Sequence, residues 1–306
     1  MSKYNYVLVD VFTDRAFGGN QLAVFPDARG LSSEQMQALG KELNLAETTF
    51  VLPPADPAND FQVRIFTPVL EMPMAGHPTV GTALVLAWQG LTAAPGSEAE
   101  TIVRFEEKVG LIPVKIKWEE GSAVFSQMQQ PLPEFGPVFN EPETIARMLS
   151  LPPEALHSDL PVELVSCGVP YLIVPLRNLA AVENIKFRPD ILQQIQPGLK
   201  DANVYVFTPQ AATDQAQVHS RMFWLDDGVF GEDAATGSAS GPLGCYLARH
   251  RVFGDAARLA LVNEQGIEMG RPSFIHIEIE QEDGRITAVR VGGQAHYMGS
   301  GFFELA

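Results

Sequence analysis

The chain has 306 residues, 46% hydrophobic and 19% charged, enough for a well-packed core in one large domain or two of about 150 residues. A formal net charge of −16 without any basic run argues against nucleic acid or an anionic membrane surface as a partner. No apolar run approaches the ~20 residues that span a bilayer, the first residues lack a signal-peptide layout, and Cys167 and Cys245 make neither a disulfide framework nor a zinc spacing, so a cytoplasmic protein is expected.

Residues 4–13 and 21–25 alternate like strands, joined through Phe17-Gly18-Gly19-Asn20, where two glycines allow a tight turn. Over 31–45, Ser32 and Gln35 form a capping box, and Met36, Leu39 and Leu43 recur at helical spacing. Strands over 48–53 and 61–67 follow, then a loop and an apolar helix starting near Pro78. Residues 101–118 and 123–128 alternate like a meander. From 130 to 162 prolines cluster around one short helix at 142–150, the texture of a connector. Beyond it, 171–176 reads as a strand, 179–195 as largely helical, 204–209 and 218–224 as strands, and a helix begins at 236.

The order of elements therefore recurs. Pro53 and Pro209 are 156 positions apart, Arg64 and Arg221 are 157 apart, and Gly81-Thr82-Ala83 returns as Gly237-Ser238-Ala239 at 156. This predicts two similar domains, each with a glycine-containing turn that opens a helix. Helix N-termini present unpaired N–H groups and partial positive charge, so two of them could receive a carboxylate or an enolate in an acidic protein. The copies differ at Gly76-His77-Pro78 and Glu232-Asp233-Ala234. His77 precedes a proline and is expected in extended backbone just before the helix, with Asp233 at the matching place. Asp233 and Ser238 fit helix caps and ligands equally well. Glu47 lies among Leu45, Ala46 and Phe50, a setting that suits a desolvated general base, although local sequence alone reads more simply as an exposed loop glutamate. No phosphate-binding loop, dinucleotide fingerprint or metal-ligand spacing of the six histidines is present, so neither cofactor nor metal is expected.

Five stretches together carry a family resemblance: FGGNQLAVF (17–25), LNLAETTFVLP (43–53), VRIFTPVLEMPMAGHPTVGTA (63–83), RMFWLDDGVFGEDAATGSASGPLGCYLARH (221–250) and EQGIEMGRPS (264–273). The sequence resembles the PhzF family of phenazine-biosynthesis isomerases over most of its length. The resemblance implies an α+β fold of two pseudo-symmetric, diaminopimelate-epimerase-like domains, each a β-barrel-like sheet around a central helix, with the active site in the cleft between them. The domains would be 1–128 plus 289–306, with the last strand returning, and 129–288. It implies that Glu47 takes a proton from one carbon and returns it to another on the same face. Gly76, His77, Asp233, Thr236, Gly237 and Ser238 would bind a small carboxylate-bearing substrate, without metal or organic cofactor, in a homodimer.

The family's parent reaction isomerises trans-2,3-dihydro-3-hydroxyanthranilate. The related epimerases use a cysteine at each duplicated turn, whereas Cys167 and Cys245 lie elsewhere here. An epimerase or racemase pairing Glu47 with Asp233, and a non-catalytic binding protein on the same fold, are the alternatives. Residues 91–100 and the proline-rich connector are the places where this chain could depart from the family.

Overall fold

The alternating N-terminal segments do form paired strands in the structure, a computed structural model that describes residues 2–93, 99–199, 202–226 and 228–305. The chain divides into two units, residues 1–129 with 292–306, and residues 130–291; the sequence reading had placed these divisions at 128 and 289. Half of the segment 91–100, residues 94–98, lies outside the described residues.

In the first unit, β1 (Ser2–Val11) pairs antiparallel with β2 (Asn20–Phe25) and with the C-terminal strand Ala295–Leu305. The turn between β1 and β2 needs its glycine: Gly19 has φ +60, and a Cβ there would lie 2.2 Å from the Val11 carbonyl oxygen. Helix α1 (Ser33–Leu43) carries the predicted capping box of Ser32 and Gln35, and ends on Asn44 in the left-handed region. Strand β3 (Glu47–Leu52) then runs parallel to β2 and antiparallel to β4 (Phe61–Phe66), which forms a hairpin with the short β5 (Glu71–Met72). Phe25 and Phe50 stack at 4.8 Å and, with Met36 and Leu39, seal α1 onto the sheet.

Helix α2 (Gly76–Trp88) is buried from Gly76 to Ala87, so it has no polar face and must run inside its sheet. Strands β1, β2, β3 and β7 (Gly110–Glu119) pack around it. Strand β6 (Glu100–Glu107) pairs parallel with β4 and antiparallel with β7, and β8 (Ser122–Gln130) continues the meander.

The second unit repeats this plan. The proline-rich segment is more than a connector: it supplies β9 (Glu134–Val138) and α3 (Pro142–Leu149). Strand β9 pairs with β10 (Glu163–Ser166), which pairs with β11 (Pro170–Pro175). Two short helices, α4 (Leu179–Glu183) and α5 (Pro189–Ile195), replace the single expected one and join α3 in covering an apolar layer. Strands β12 (Asn203–Thr208) and β13 (Val218–Asp226) follow, with β14 (Val229–Asp233) completing a hairpin. Helix α6 (Gly237–Arg249), buried from Gly237 to Ala248, is the central helix. Strands β15 (Arg258–Gln265), β16 (Ser273–Glu282) and β17 (Arg285–Gly293) complete the described strands of the repeat.

The duplication is real, but the sequence assigned its register wrongly at the helices. Parallel β2·β3, antiparallel β3·β4 and parallel β4·β6 recur as β11·β12, β12·β13 and β13·β15. Glu106 accepts the Ala55 and Asp56 N–H groups, and Glu264 clamps Ala212 and Thr213 in the same way. The β13–β14 hairpin has three more rungs than β4–β5, Trp224 opposite Gly231, Leu225 opposite Phe230 and Asp226 opposite Val229. The hairpin is four residues longer between its matching rungs, which moves the offset from 157 at the strands to 161 at the helices: both helices have 13 residues, and Gly76 corresponds to Gly237.

His77 is consequently the second residue of α2 rather than a residue before it, and its counterpart is Ser238. Asp233 corresponds to Met72. Gly81 and Gly237 do different jobs. Gly81 lies mid-helix, where a Cβ would sit 2.6 Å from Val11 and 2.7 Å from Leu22, whereas Gly237 opens its helix.

Candidate active site

The αL turn at Asn44 releases the chain from α1 straight into β3, whose first residue is Glu47. Glu47 is not the exposed loop glutamate of the simpler reading: its side chain is 17% exposed. Its Oε2 lies 3.1 Å from His77 Nε2, in contact although too poorly aligned for a hydrogen bond. Asn20, the first residue of β2, donates from Nδ2 to His77 Nδ1 at 3.2 Å. With Nδ1 accepting, the ring proton sits on Nε2 and faces the carboxylate. Asp10 fixes the turn that delivers Asn20, its Oδ2 accepting the Phe17 N–H at 2.8 Å. One unit thus brings together Glu47, His77 and Asn20; the last was named in the glycine turn but not counted as a site residue. No side chain caps α2, which opens at Ala75-Gly76-His77. Helix N–H groups and the helix dipole therefore border the Glu47–His77 pair.

The second unit gathers Asp233, Thr236 and Ser238, but neither Asp233 nor Ser238 is a helix cap. Thr236 holds the cap position without a side-chain capping bond, and its hydroxyl donates to Asp233 Oδ2 at 2.6 Å. Ser238 Oγ is 2.7 Å from the Tyr171 hydroxyl. Gln265, on β15, ties this turn together. Its Oε1 accepts the Thr236 N–H at 3.1 Å, and its Nε2 donates to the Asp233 carbonyl at 2.8 Å and to Thr236 Oγ1 at 2.9 Å. Burial pushes the neighbouring Tyr205 phenol up to about 12, so it stays protonated and donates to Gln265 Oε1 at 3.0 Å.

The parallel pairings set Glu47 opposite Leu22 and Asn203 opposite Tyr171, so Asn203 occupies Glu47's place in the repeat. The first unit carries a carboxylate and an imidazole where the second carries an amide and a hydroxyl. A carboxylate beside a neutral imidazole can accept and return a proton, and an amide cannot. The proton-transfer equipment at this equivalent pair of positions is therefore one-sided.

Sequence reasoning passed over three buried groups. His219 was set aside because no metal spacing surrounds it, yet its ring nitrogens contact Glu264 Oε1 at 2.9 Å and Glu268 Oε1 at 2.8 Å. Gln265 lay in a motif quoted only for its family likeness. Glu107 lies in the alternating run 101–118, which by itself does not say which of Glu106 and Glu107 points inward. In a strand, neighbours face opposite sides, and Glu107 is the inward one, 7% exposed.

The sequence profile described as phenazine biosynthesis-like protein, PhzC-PhzF, matches residues 9–301. A trans-2,3-dihydro-3-hydroxyanthranilate isomerase of Pseudomonas aeruginosa is 37% identical over 291 residues, covering 95% of this chain and 95% of that protein. The crystal structure of a Bacillus anthracis phenazine biosynthesis protein of the PhzF family superposes with a TM-score of 0.89 at 28% identity, covering 100% of both chains. A probable proline racemase of Agrobacterium radiobacter shares the fold, with a TM-score of 0.65 at 14% identity over 99% of this chain and 93% of that one.

Proposed function

The chain belongs to the phenazine biosynthesis-like PhzC-PhzF family and is an isomerase of the PhzF type, and from that premise we propose that it shifts a proton along a small carboxylate-bearing ring, with Glu47 as its only acid/base. The observation that carries this reading is the one-sidedness of the repeat: Glu47 beside His77 in the first unit, with Asn203 and Ser238 at the equivalent positions in the second. Glu47 removes a proton from an sp³ carbon, the electrons move through the adjacent double bond, and the protonated Glu47 returns the proton to a second carbon on the same face. No net proton or electron is exchanged with a partner, so the step balances without an organic cofactor. His77, held by Asn20, keeps Glu47 oriented. The N–H groups at Gly76 and His77 stabilise the charge that spreads onto the substrate in the transition state. In the same proposal Asp233, Thr236, Gly237 and Ser238 bind the polar substituents.

A two-base epimerase is less favoured, because the second unit lacks a carboxylate at the Glu47 position and Asp233 stands at the place of Met72. The test is proton NMR of the protein with trans-2,3-dihydro-3-hydroxyanthranilate in D₂O. Loss of substrate with deuterium entering a ring carbon, abolished in Glu47→Gln, is the expected result. Turnover by Glu47→Gln at the wild-type rate would sink the mechanism. Absence of any exchange in the wild type would move the search to other small ring carboxylates.

A further inference from the structure

The first turn of α2 contains a problem of proton counting. The Thr79 hydroxyl lies 2.7 Å from the Ala75 carbonyl and 2.5 Å from Glu107 Oε1. A threonine hydroxyl has one proton to give, and both neighbours are acceptors if Glu107 is ionised. The other carboxyl oxygen, Oε2, is buried with no hydrogen-bond partner among the described residues. An ionised Glu107 would thus leave either the helix-opening carbonyl or a buried charge short of a donor, which is costly. A protonated Glu107 resolves it. Its O–H donates to Thr79 Oγ1, and Thr79 donates onward to Ala75.

The second unit shows the same device with an amide. Ser240 corresponds to Thr79 and donates to the Thr236 carbonyl at 3.0 Å, as Thr79 does to Ala75. Gln62 pairs with Glu106 as His219 pairs with Glu264, which makes Gln265 the counterpart of Glu107. Gln265 is permanently neutral and donates to the turn before α6. A protonated glutamic acid is its closest neutral equivalent.

We propose that Glu107 is a protonated carboxylic acid at neutral pH, a positioning residue that braces the first turn of α2 and keeps negative charge away from the helix end that receives the substrate's carboxylate. The second clause rests on the proposed function; the first does not. Burial, only partly opposed by the Thr79 hydrogen bond, pushes the Glu107 carboxyl up to about 8. Among the described residues no cation offsets it. Lys108 follows it in the chain, and Arg64 of β4 is taken by Glu71 of β5. Glu106 faces the 55–59 loop, the facing residues Gly110 and Leu111 of β7 do not titrate, and His77 of α2 is committed to Glu47. As pH rises through about 8, a negative charge arises beneath the anion-receiving turn and weakens anion binding.

The experiment compares wild type with Glu107→Gln, which mimics Gln265. Thermal melts at about pH 6 and about pH 9 are read beside the affinity for 3-hydroxyanthranilate, a ring carboxylate with no sp³ carbon to deprotonate. The variant should melt at the wild-type temperature or above at pH 6 and clearly above it at pH 9. Wild-type affinity should fall about tenfold across this range while the variant's holds, as expected when a nearby group loses one proton. A variant less stable than wild type at pH 6, or a ¹³C carboxyl titration placing Glu107 in the ordinary glutamate range, would overturn the protonated state. An affinity that falls equally in both proteins would overturn the positioning role. If neither protein binds the probe, the substrate reading fails, and the melts and the titration still decide the state of Glu107.

Discussion

His219 offers a quantitative test of the second unit's interior. Both ring nitrogens face carboxylate oxygens, at 2.9 Å to Glu264 and 2.8 Å to Glu268, and a carboxylate accepts only. Both nitrogens must therefore carry protons, so the ring is an imidazolium. Burial pulls its pKa down, but the hydrogen bonds and charges of Glu264 and Glu268 more than offset that and raise it from 6.5 to about 9.

A group whose pKa rises on folding stabilises the protein fully below its unfolded pKa, and this contribution is lost as pH climbs through the folded one. The window is thus about pH 6.5 to 9, and at about 1.4 kcal/mol per pH unit the contribution is about 3 kcal/mol. The perturbation is His219→Gln, followed by urea denaturation at about pH 6 and about pH 10. At the lower pH the variant should lose about 3–5 kcal/mol, because the buried Glu264 and the partly buried Glu268 lose the cation they share. At the higher pH the gap to wild type should shrink by about 3 kcal/mol. Glu107 titrates in both proteins and cancels in the difference. An equal gap at both pH values would refute the reasoning, since it would mean that one of the glutamates carries the proton instead.

Other outcomes follow from single contacts. Gly81→Val should destabilise the first unit by about 1–3 kcal/mol, visible as a lower Tm, because β1 and β2 already touch α2 there; an unchanged Tm would contradict the packing. Cys167 and Cys245 sit 3.8 Å apart, fully buried, with the Cys245 thiol held well above its usual range by its hydrogen bond to Cys167 and by burial. A thiol reagent should leave both unlabelled until the protein unfolds, and rapid native-state labelling would contradict that burial. His77→Ala should lower kcat by disorienting Glu47, and Asp233→Ala should chiefly raise KM. Wild-type kinetics in both would show that the chemistry lies elsewhere.

Much of the fold could be read from local chemistry. The capping box of α1, the β1–β2 turn glycines and the apolar run of α2 each announce themselves within a few residues. The repeat was legible in its strands, where Pro53 and Pro209 follow matching β-runs. It was misread at the helices because Gly-Thr-Ala and Gly-Ser-Ala look alike while serving different ends, one permitting a close strand and the other starting a helix. A better guide was the pair Thr79 and Ser240, whose hydroxyls repeat a bond to the helix-opening carbonyl. Of the candidate site, Glu47 and His77 do come together, but only the fold shows that they touch. Glu107 and His219 were invisible for a plainer reason: a charged residue in an alternating strand looks solvent-facing until its neighbours across the sheet are known.

The extra length of the β13–β14 hairpin has its own consequence. Its last shared rung, Phe223 opposite Glu232, matches Phe66 opposite Glu71, and Arg221 holds Glu232 just as Arg64 holds Glu71. Everything added lies beyond that rung, toward a tip where Val229 and Phe230 stand exposed. A ladder extended at its tip leaves the register of every lower rung unchanged, so Asp233 keeps its pairing with Met222. The tip is accordingly a graft point. A foreign loop can be spliced in beyond the Asp226–Val229 rung, whereas the rungs below it must stay, since Trp224 and Leu225 pack against the core and Phe230 stacks on Phe187 at 5.3 Å; the helix start below should keep its geometry.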